Sequence, residues 1–511
     1  TVGFRDFSFI SAEGLHWPGG NLNLSYTHEQ VQARKPAQGR LQGDHIDLQA
    51  LRDLSLRLPL PEALHRQLQA HDVSGQVDAL QLSWVGEWNQ PQSYEAQASL
   101  KDLNLPAPAA STSPKDARGW PGLQGAQVQL KMTQAGGQVQ IDMGKGGAVL
   151  LPGILEEPKV PVNSLHAHAR WQRKDGLWAV PQWSLQLSNA DLSGQWQGQW
   201  QGQAQGLGVL ALQGLVSQAD AARVHRYLPV TLPATVRQYV REAVVKGRYT
   251  GVQINIQGDL DRLPFTNPKE GEFRFAGRLN GVELDYLPAS LLPRNSLPWP
   301  RLHDLSGQLV FDGLSMKLND ASARAGEAKT GMPLTAMQAK IANMAEQATL
   351  EISGEQKGPA GQVLSLIQKS PLDKYLNSAL RDMQATGSVQ TRIKLNIPLL
   401  AAENTKVQGT AVLAGNDLRT SPALPIFEKV QGTVQFSDSG FSLNGVQARL
   451  LGGPIRIEGG LRPNSSNEPA LQLRAQGEIS AEGLRQAHEF HPLDVLAKQM
   501  SGSATYTASL G

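Results

Sequence analysis

The stretch QVQLKMTQAGGQVQIDM, residues 127–143, decides the fold. Val128, Leu130 and Met132 alternate with Gln127, Gln129 and Lys131, and Val139, Ile141 and Met143 resume the alternation after the glycines. A period of two sends successive side chains to opposite sides of an extended backbone, so these are strands with one apolar and one wet face. The pattern returns in Val252, Ile254 and Ile256, in Phe273 and Phe275, Leu309 and Phe311, Val434 and Phe436, Ile455 and Ile457, and Leu471 and Leu473. The wet positions are rich in Gln, Arg and Ser. A long run of one-faced strands must cover its apolar side with another sheet, a helix layer or a ligand.

At 511 residues the chain exceeds the usual size of one compact core, so several domains or an elongated repeat are expected. Its 40% hydrophobic and 18% charged residues suit a folded β-rich protein, and Gly 51 and Pro 31 supply many turns. With a net charge of +2 and no long basic run, no nucleic-acid partner is expected. Cys 0 removes thiol chemistry, disulfides and Cys-based zinc sites. No stretch approaches the ~20 apolar residues of a membrane span, and no signal peptide opens at Thr1. The chain enters a strand-like segment at Val2 and ends mid-strand at Ser503–Leu510, as a piece of something longer would.

Loops are expected at Pro106–Gly122, Asn319–Pro333, Leu399–Lys406 and Arg462–Pro469. The low-complexity run QWQGQWQGQAQG (195–206) puts Trp196 and Trp200 on one face and is a strand. Four times a strand leads into a helical insert that ends at a Gly opening the next strand: Gly75, Gly247, Gly387 and Gly502. Pro61, Pro233, Pro371 and Pro492 sit where a first helical turn needs no N–H. Val236, Val240, Ala243 and Val244 form one apolar stripe, and Leu372, Leu376, Leu380 and Met383 another; each Gly is expected as a C-cap. The inserts are amphipathic helices able to lie on the sheet as plugs, gates or partner sites. Their unequal spacing argues against a solenoid of fixed rung length.

Sites of covalent chemistry are sparse. His166 and His168 share a strand face, but no third metal ligand is near in sequence, and a solvated pair is the simpler reading. Gly144-Lys145-Gly146 lacks the spacing of a phosphate loop and fits a Gly-rich hairpin. Glu156 and Glu157 precede Pro158 in a loop, where adjacent carboxylates are usually solvated. No G-x-S-x-G or H-E-x-x-H motif occurs. Trp84, Trp88, Trp171, Trp178 and Trp183 would stack sugars or fill a sheet face.

From Leu207 to Arg324 the motifs fall in a recognisable order: Tyr227-Leu228-Pro229, then Gly258 with Leu263-Pro264-Phe265, then Trp299-Pro300 with Gly307 and Phe311. This order strongly resembles the AsmA-like family of bacterial envelope proteins. Where the family usually has a Trp-Leu pair in the helix, this chain has Tyr239-Val240, an exchange that keeps an aromatic and an aliphatic. The resemblance implies a mostly β fold: a long, twisted, antiparallel sheet curled into a taco-shaped apolar groove, with short amphipathic helical inserts. The expected segments are an N-terminal β-groove (1–206), a core with a helical insert (207–330) and a C-terminal β-groove with inserts (331–511), forming one continuous elongated architecture.

It also implies a non-enzymatic bridge across the Gram-negative periplasm, anchored in the inner membrane by a helix outside this sequence. Such a bridge passes phospholipids towards the outer membrane, without a cofactor. Its expected partners are phospholipids, both membranes through missing terminal segments, and envelope proteins. The expected groove-lining residues are Val252, Ile254, Ile256, Phe273, Phe275, Leu309, Phe311, Val434, Phe436, Ile455 and Ile457. At about 4.8 Å per strand, ~30 strands would span on the order of 140 Å. Two alternatives stand beside this one. The first is a closed-core scaffold protein of the envelope made of ordinary β-sandwiches. The second is a carbohydrate-active protein, which would need an acid pair in one cleft.

Overall fold

The computed structural model describes residues 1–511 other than 13, 15, 30–35, 58–64, 66–71, 108–120, 293–296, 347, 376–377, 379, 402–403, 464–468 and 488–492. The chain is mostly antiparallel β, does not close into a barrel, and has few helices. It divides into two units, Thr1–Arg241 with Tyr249–Ala276, and Glu242–Arg248 with Gly277–Gly511.

The first unit contains β1 (Val2–Phe4), β2 (Phe9–Ile10), β3 (His16–Trp17), β4 (Asn21–Thr27), β5 (Gln38–Asp44), β6 (Ile46–Asp47), β7 (Ser74–Glu87) and β8 (Gln90–Leu105). It continues with β9 (Gly122–Thr133), β10 (Gly136–Met143), β11 (Ala148–Leu150), β12 (Lys159–Pro161), β13 (Ser164–Lys174), β14 (Leu177–Ser188), β15 (Leu192–Gln201) and β16 (Val209–Asp220). The ladder runs β1, β4, β5, β7, β8, β9, β10, β13, β14, β15, β16, each strand antiparallel to the next. β17 (Val244–Asp259) and β18 (Gly271–Leu284) contribute residues to both units.

The second unit holds β19 (Leu302–Asp312), β20 (Ser315–Ala325), β21 (Met332–Ile341), β22 (Thr349–Pro359), β23 (Gln384–Ala385) and β24 (Ser388–Pro398). After these come β25 (Lys406–Arg419), β26 (Phe427–Ser437), β27 (Gly440–Leu450), β28 (Gly452–Pro463), β29 (Pro469–Ser480) and β30 (Ser503–Leu510). It is again a meander, in which β22 pairs with β24 across the short β23.

The long strands do not alternate from end to end. In β20 the buried residues are Leu318, then Ala321, Ala323 and Ala325. The slip of one falls at Asp320, held at a φ of 49°. β8 slips at Asp102 (φ 47°), β21 at Ala336 (φ 49°) and β26 at Lys429 (φ 51°), each beside a shift in register. These are bulges: two residues face one on the neighbouring strand, which bends the strand and increases its twist. Each bulge restores the apolar residues beyond it to the same face. The expected break at Asn319–Pro333 is therefore corrected. Residues 319–325 continue β20, and only 326–331 form the loop.

The inserts also differ from expectation. The first described helix, α1 (Leu48–Ser55), lies ahead of Pro61 and is capped by the Asp47 carboxylate, which accepts from Ala50 N at 2.8 Å. The helix expected from Pro61 lies almost wholly outside the described residues. α2 (Ala234–Ala243) forms after Pro233, with Ala243 buried but Val236 exposed, and Val244 already begins β17. In the third insert, α3 (Ala360–Gln368) precedes the expected helix. Of that helix only one turn, α4 (Leu372–Tyr375), is helical, and Ser378 has a φ of 56°. The last insert holds α5 (Ala481–Gln486) and α6 (Leu493–Ala497).

The four glycines are not helix caps. Gly247 lies inside β17 with a φ of 126°, and a Cβ there would sit 2.5 Å from Val282 Cα. Gly75 is likewise inside β7 at a φ of 135°, pressed against Leu103. Gly387 and Gly502 stand just before β24 and β30 with φ of 77° and 93°. What these sites need is a positive φ, and at Gly75 and Gly247 a close backbone approach as well.

Strand parity fixes where the helices lie. In the first unit the ladder between the first insert and the second has an even number of strands, so both emerge at the same rim. The opposite rim has two-residue turns at Trp88-Asn89, Gln134-Ala135 and Asp175-Gly176. Asp175 and Gly176 both have positive φ, as a type I′ hairpin requires. In the second unit an even number of strands again separates α3 from α5, so both lie at one rim of that unit.

Candidate functional site

Cross-strand register assembles the apolar residues into rows perpendicular to the strands. In the first unit one row runs Leu80, Ala98, Leu130, Val139, Ala169, Trp183, Gly198, Leu212, each residue directly opposite the next. A parallel row runs Val77, Leu100, Val128, Ile141, Ala167, Leu185, Trp196, Gly214. In the second unit Leu309, Leu318, Ala339, Ile352, Leu395 and Val407 form one row. Gly354, Ile393, Gly409, Phe436, Phe441, Leu461 and Leu471 form another. Directly opposed side chains are close enough to touch, so each row is a continuous apolar track.

Much of this face is only half-buried. Leu80, Leu130, Val139, Leu185 and Trp183 keep part of their surface accessible, as do Leu309, Ile352 and Leu395. Among the described contacts, the long strands touch chiefly their ladder neighbours or an insert helix, and the two-stranded β2–β3 sheet is the only further sheet. Burial is complete where something does cover the face. At β6 and β7, α1 and the β2–β3 pair close over Ile46 and Val77, with Trp17 stacked on Phe9 at 6.3 Å. Gln356 interrupts the apolar side of β22: it is 4% exposed, and its carboxamide has no hydrogen-bond partner.

The other face is polar: its rows in the second unit carry charge, as in Lys317, Lys340, Glu351, Asn396 and Lys406, whereas one first-unit row has Gln, Ser and His. Gln129, Gln140, His168, Ser184, Gln197 and Gln213 stand in one row across β9–β16. His166 donates through Nδ1 to the Asp142 carboxylate at 2.7 Å on the neighbouring strand, and that hydrogen bond holds the Asp142 carboxyl below its ordinary range. Among the described residues no group of three or more His, Cys, Asp or Glu is placed to hold a metal. Open concavities on the polar face, one of about 640 Å³ beside Arg40, Ser83, Glu95 and Thr133, bring together no catalytic constellation.

Glu156 and Glu157 are exposed, as expected of loop carboxylates, and each is also paired with arginine. Glu156 accepts from Arg241 at 2.9 Å and lies 3.6 Å from Arg237, and Glu157 accepts from Arg226 at 2.8 Å. Arg226 also pairs with Asp191. Tyr227 donates to Asp191, accepts from Asn189, and has its phenol pushed up to about 12 by burial. Val230 N bonds Ile154 O at 2.9 Å. The second insert is thereby tied to the loop between β11 and β12. Sequence reasoning missed this because the partners are 69 to 85 residues apart.

The expected groove residues are placed as follows. Val252, Ile254 and Ile256 alternate on β17, Val252 being buried and the other two half-buried. Phe273 and Phe275 lie on β18 with ring centroids 5.0 Å apart. Leu309 and Phe311 oppose Leu318 and Met316. Val434 and Phe436 oppose Leu443 and Phe441. Ile455 and Ile457 oppose Ala448 and Val446. The motif residues are structural: Phe265 is 4% exposed and covers Gly258 and Gly271, and Gly307 packs on Ala321. In the second unit Trp299 meets Tyr286, whose phenol burial pushes up.

Together these features define an open-faced antiparallel β protein with a half-exposed apolar surface on one side. The chain belongs to the YhdP protein family, whose model matches residues 2–511. It is 22% identical over 471 residues to the intermembrane phospholipid transporter YhdP of Escherichia coli (strain K12), covering 88% of this chain and 34% of that relative. It therefore spans about a third of the relative's length. No solved structure matches. Among the described residues no helix is long and apolar enough to cross a membrane.

Proposed function

We propose that this chain is a periplasmic segment of an intermembrane phospholipid conduit that works without covalent chemistry. The observation that carries the reading is the set of apolar rows whose residues stay half-exposed over most of the described strands, outside the part that α1 and the β2–β3 pair cover. The name of the Escherichia coli relative supplies the cargo class. Exposing acyl chains to water costs about 0.8 kcal/mol per CH₂, on the order of 25 kcal/mol for two tails of ~16 carbons. A covered apolar path removes most of that cost while the head group stays wet. Many similar aliphatic positions let a lipid slide without a deep trap, and Val252, Ile254, Ile256, Phe273, Phe275, Leu309, Phe311, Val434, Phe436, Ile455 and Ile457 are proposed to face acyl chains. The path runs from an inner-membrane anchor to the outer membrane, with terminal segments outside this chain and envelope proteins completing the contacts.

Native extraction of the protein from bacterial membranes, followed by lipid analysis, tests the proposal. Stoichiometric or multiple phospholipids per folded chain are expected. A folded, lipid-free protein would favour a closed scaffold.

A further inference from the structure

Four tryptophans of the first unit, Trp171, Trp183, Trp196 and Trp200, each lie over glycine. β15 presents Gly194, Trp196, Gly198, Trp200 to the apolar face and Gln195, Gln197, Gln199, Gln201 to the other. Trp183 lies opposite Gly198, where a Cβ would come within 2.9 Å of the indole Cζ2. Trp196 lies opposite Gly214, where a Cβ would overlap its pyrrole edge, and it also reaches back over Gly194. Trp171 covers Gly137 on β10 in the same way. Trp200 spreads over Gly202 and Gly208, its Nε1 donating to Leu207 O at 2.9 Å.

A wide aromatic ring beside a glycine settles flat on the bare backbone, as when aromatics cover glycines across a sheet. A larger residue opposite would lever the indole upright. β13, β14 and β15 are consecutive in the ladder, and register places the four indoles on one face of these three strands. All four are half-buried, with part of their surface open.

We propose that Trp171, Trp183, Trp196 and Trp200 form an acyl-chain-binding tract whose depth is set by the glycines beneath the rings. A flat indole gives a hydrocarbon chain broad contact without a notch to lodge in, and it keeps the tract shallow. The proposal rests on the conduit reading, so its test must separate the two.

The protein is loaded with phosphatidylethanolamine carrying either dibrominated or plain acyl chains. Bound lipid is counted by mass spectrometry, and tryptophan emission is compared between the two loads. Four of the ten tryptophans lie on the tract. Contact quenching by bromine is expected to remove roughly a third of the emission. Trp183→Phe with Trp196→Phe, which leaves Trp171 and Trp200, should remove about half of that difference while lipid still binds. Gly214→Ala, whose added Cβ meets only Trp196 among its nearest atoms, should slow transfer between vesicles several-fold. Gly144→Ala, with open space around its Cβ, should not. Lipid bound at full stoichiometry with no bromine-dependent quenching would overturn the tract and leave the conduit standing. No bound lipid would overturn both.

Discussion

One position on a one-faced strand decides whether the apolar track is continuous. Ile254 lies midway between Val252 and Ile256 on the proposed acyl-facing side of β17. Ile254→Asp, placed in the full-length protein, is expected to fold but fail to complement a deletion strain, because an ionised carboxylate on a dry path is costly to desolvate. Full complementation would remove Ile254 from the path. Asp320 tests the bulge. It is exposed, so its contribution is mainly its φ of 49°. Asp320→Val is expected to lower unfolding stability by about 1–2 kcal/mol in urea titration, and Asp320→Gly to leave it near wild type. Alternation in residues 127–143 was fully legible, because β9 and β10 keep a strict period there. Asn319–Pro333 was not, because a bulge slips the period by one and looks like the end of a strand. The bulge residue itself is a surface Asp with nothing local to distinguish it from a turn.

At the scale of elements, the existence of four inserts could be read from their Pro and Gly punctuation, but their helices could not be placed well. α1 starts at an Asp cap with no proline, and α3 starts at Pro359, the last residue of β22, so reading the helices from Pro61 and Pro371 pointed past both. The anchoring of α2 depends on tertiary ion pairs that no local pattern encodes. Glu156→Ala with Glu157→Ala is expected to speed amide exchange across 234–243. Global stability should fall by under about 1 kcal/mol, since the broken pairs are largely solvent-exposed. Unchanged exchange would mean that the Asp191–Arg226–Tyr227 contacts hold the insert alone.

Over the whole molecule, the balance of charge and apolar surface points to binding without electrostatic capture. The net charge is +2, and one outer row carries Gln, Ser and His instead of Lys or Arg. Lipid uptake by the purified protein is therefore expected to change less than twofold between about 0.1 and 1 M salt, since screening acts on charges and leaves apolar contacts in place. A steep salt dependence would reveal a head-group site. The β class and the one-faced character of the strands were open to inspection in the sequence. The paving of glycines by tryptophan was not: Trp196 and Gly214 are paired by register alone, which a single chain does not display.

The even number of strands between the two inserts of each unit has an evolutionary meaning. In a meander each strand is held by the two beside it, so a hairpin can be gained or lost without disturbing the pairings further along. Adding a hairpin lengthens such a ladder by about 10 Å and leaves every downstream insert on its original rim. Gaining a single strand would send those inserts to the opposite rim. Proteins built this way are free to evolve their length in paired steps, so relatives of different length should differ by whole hairpins.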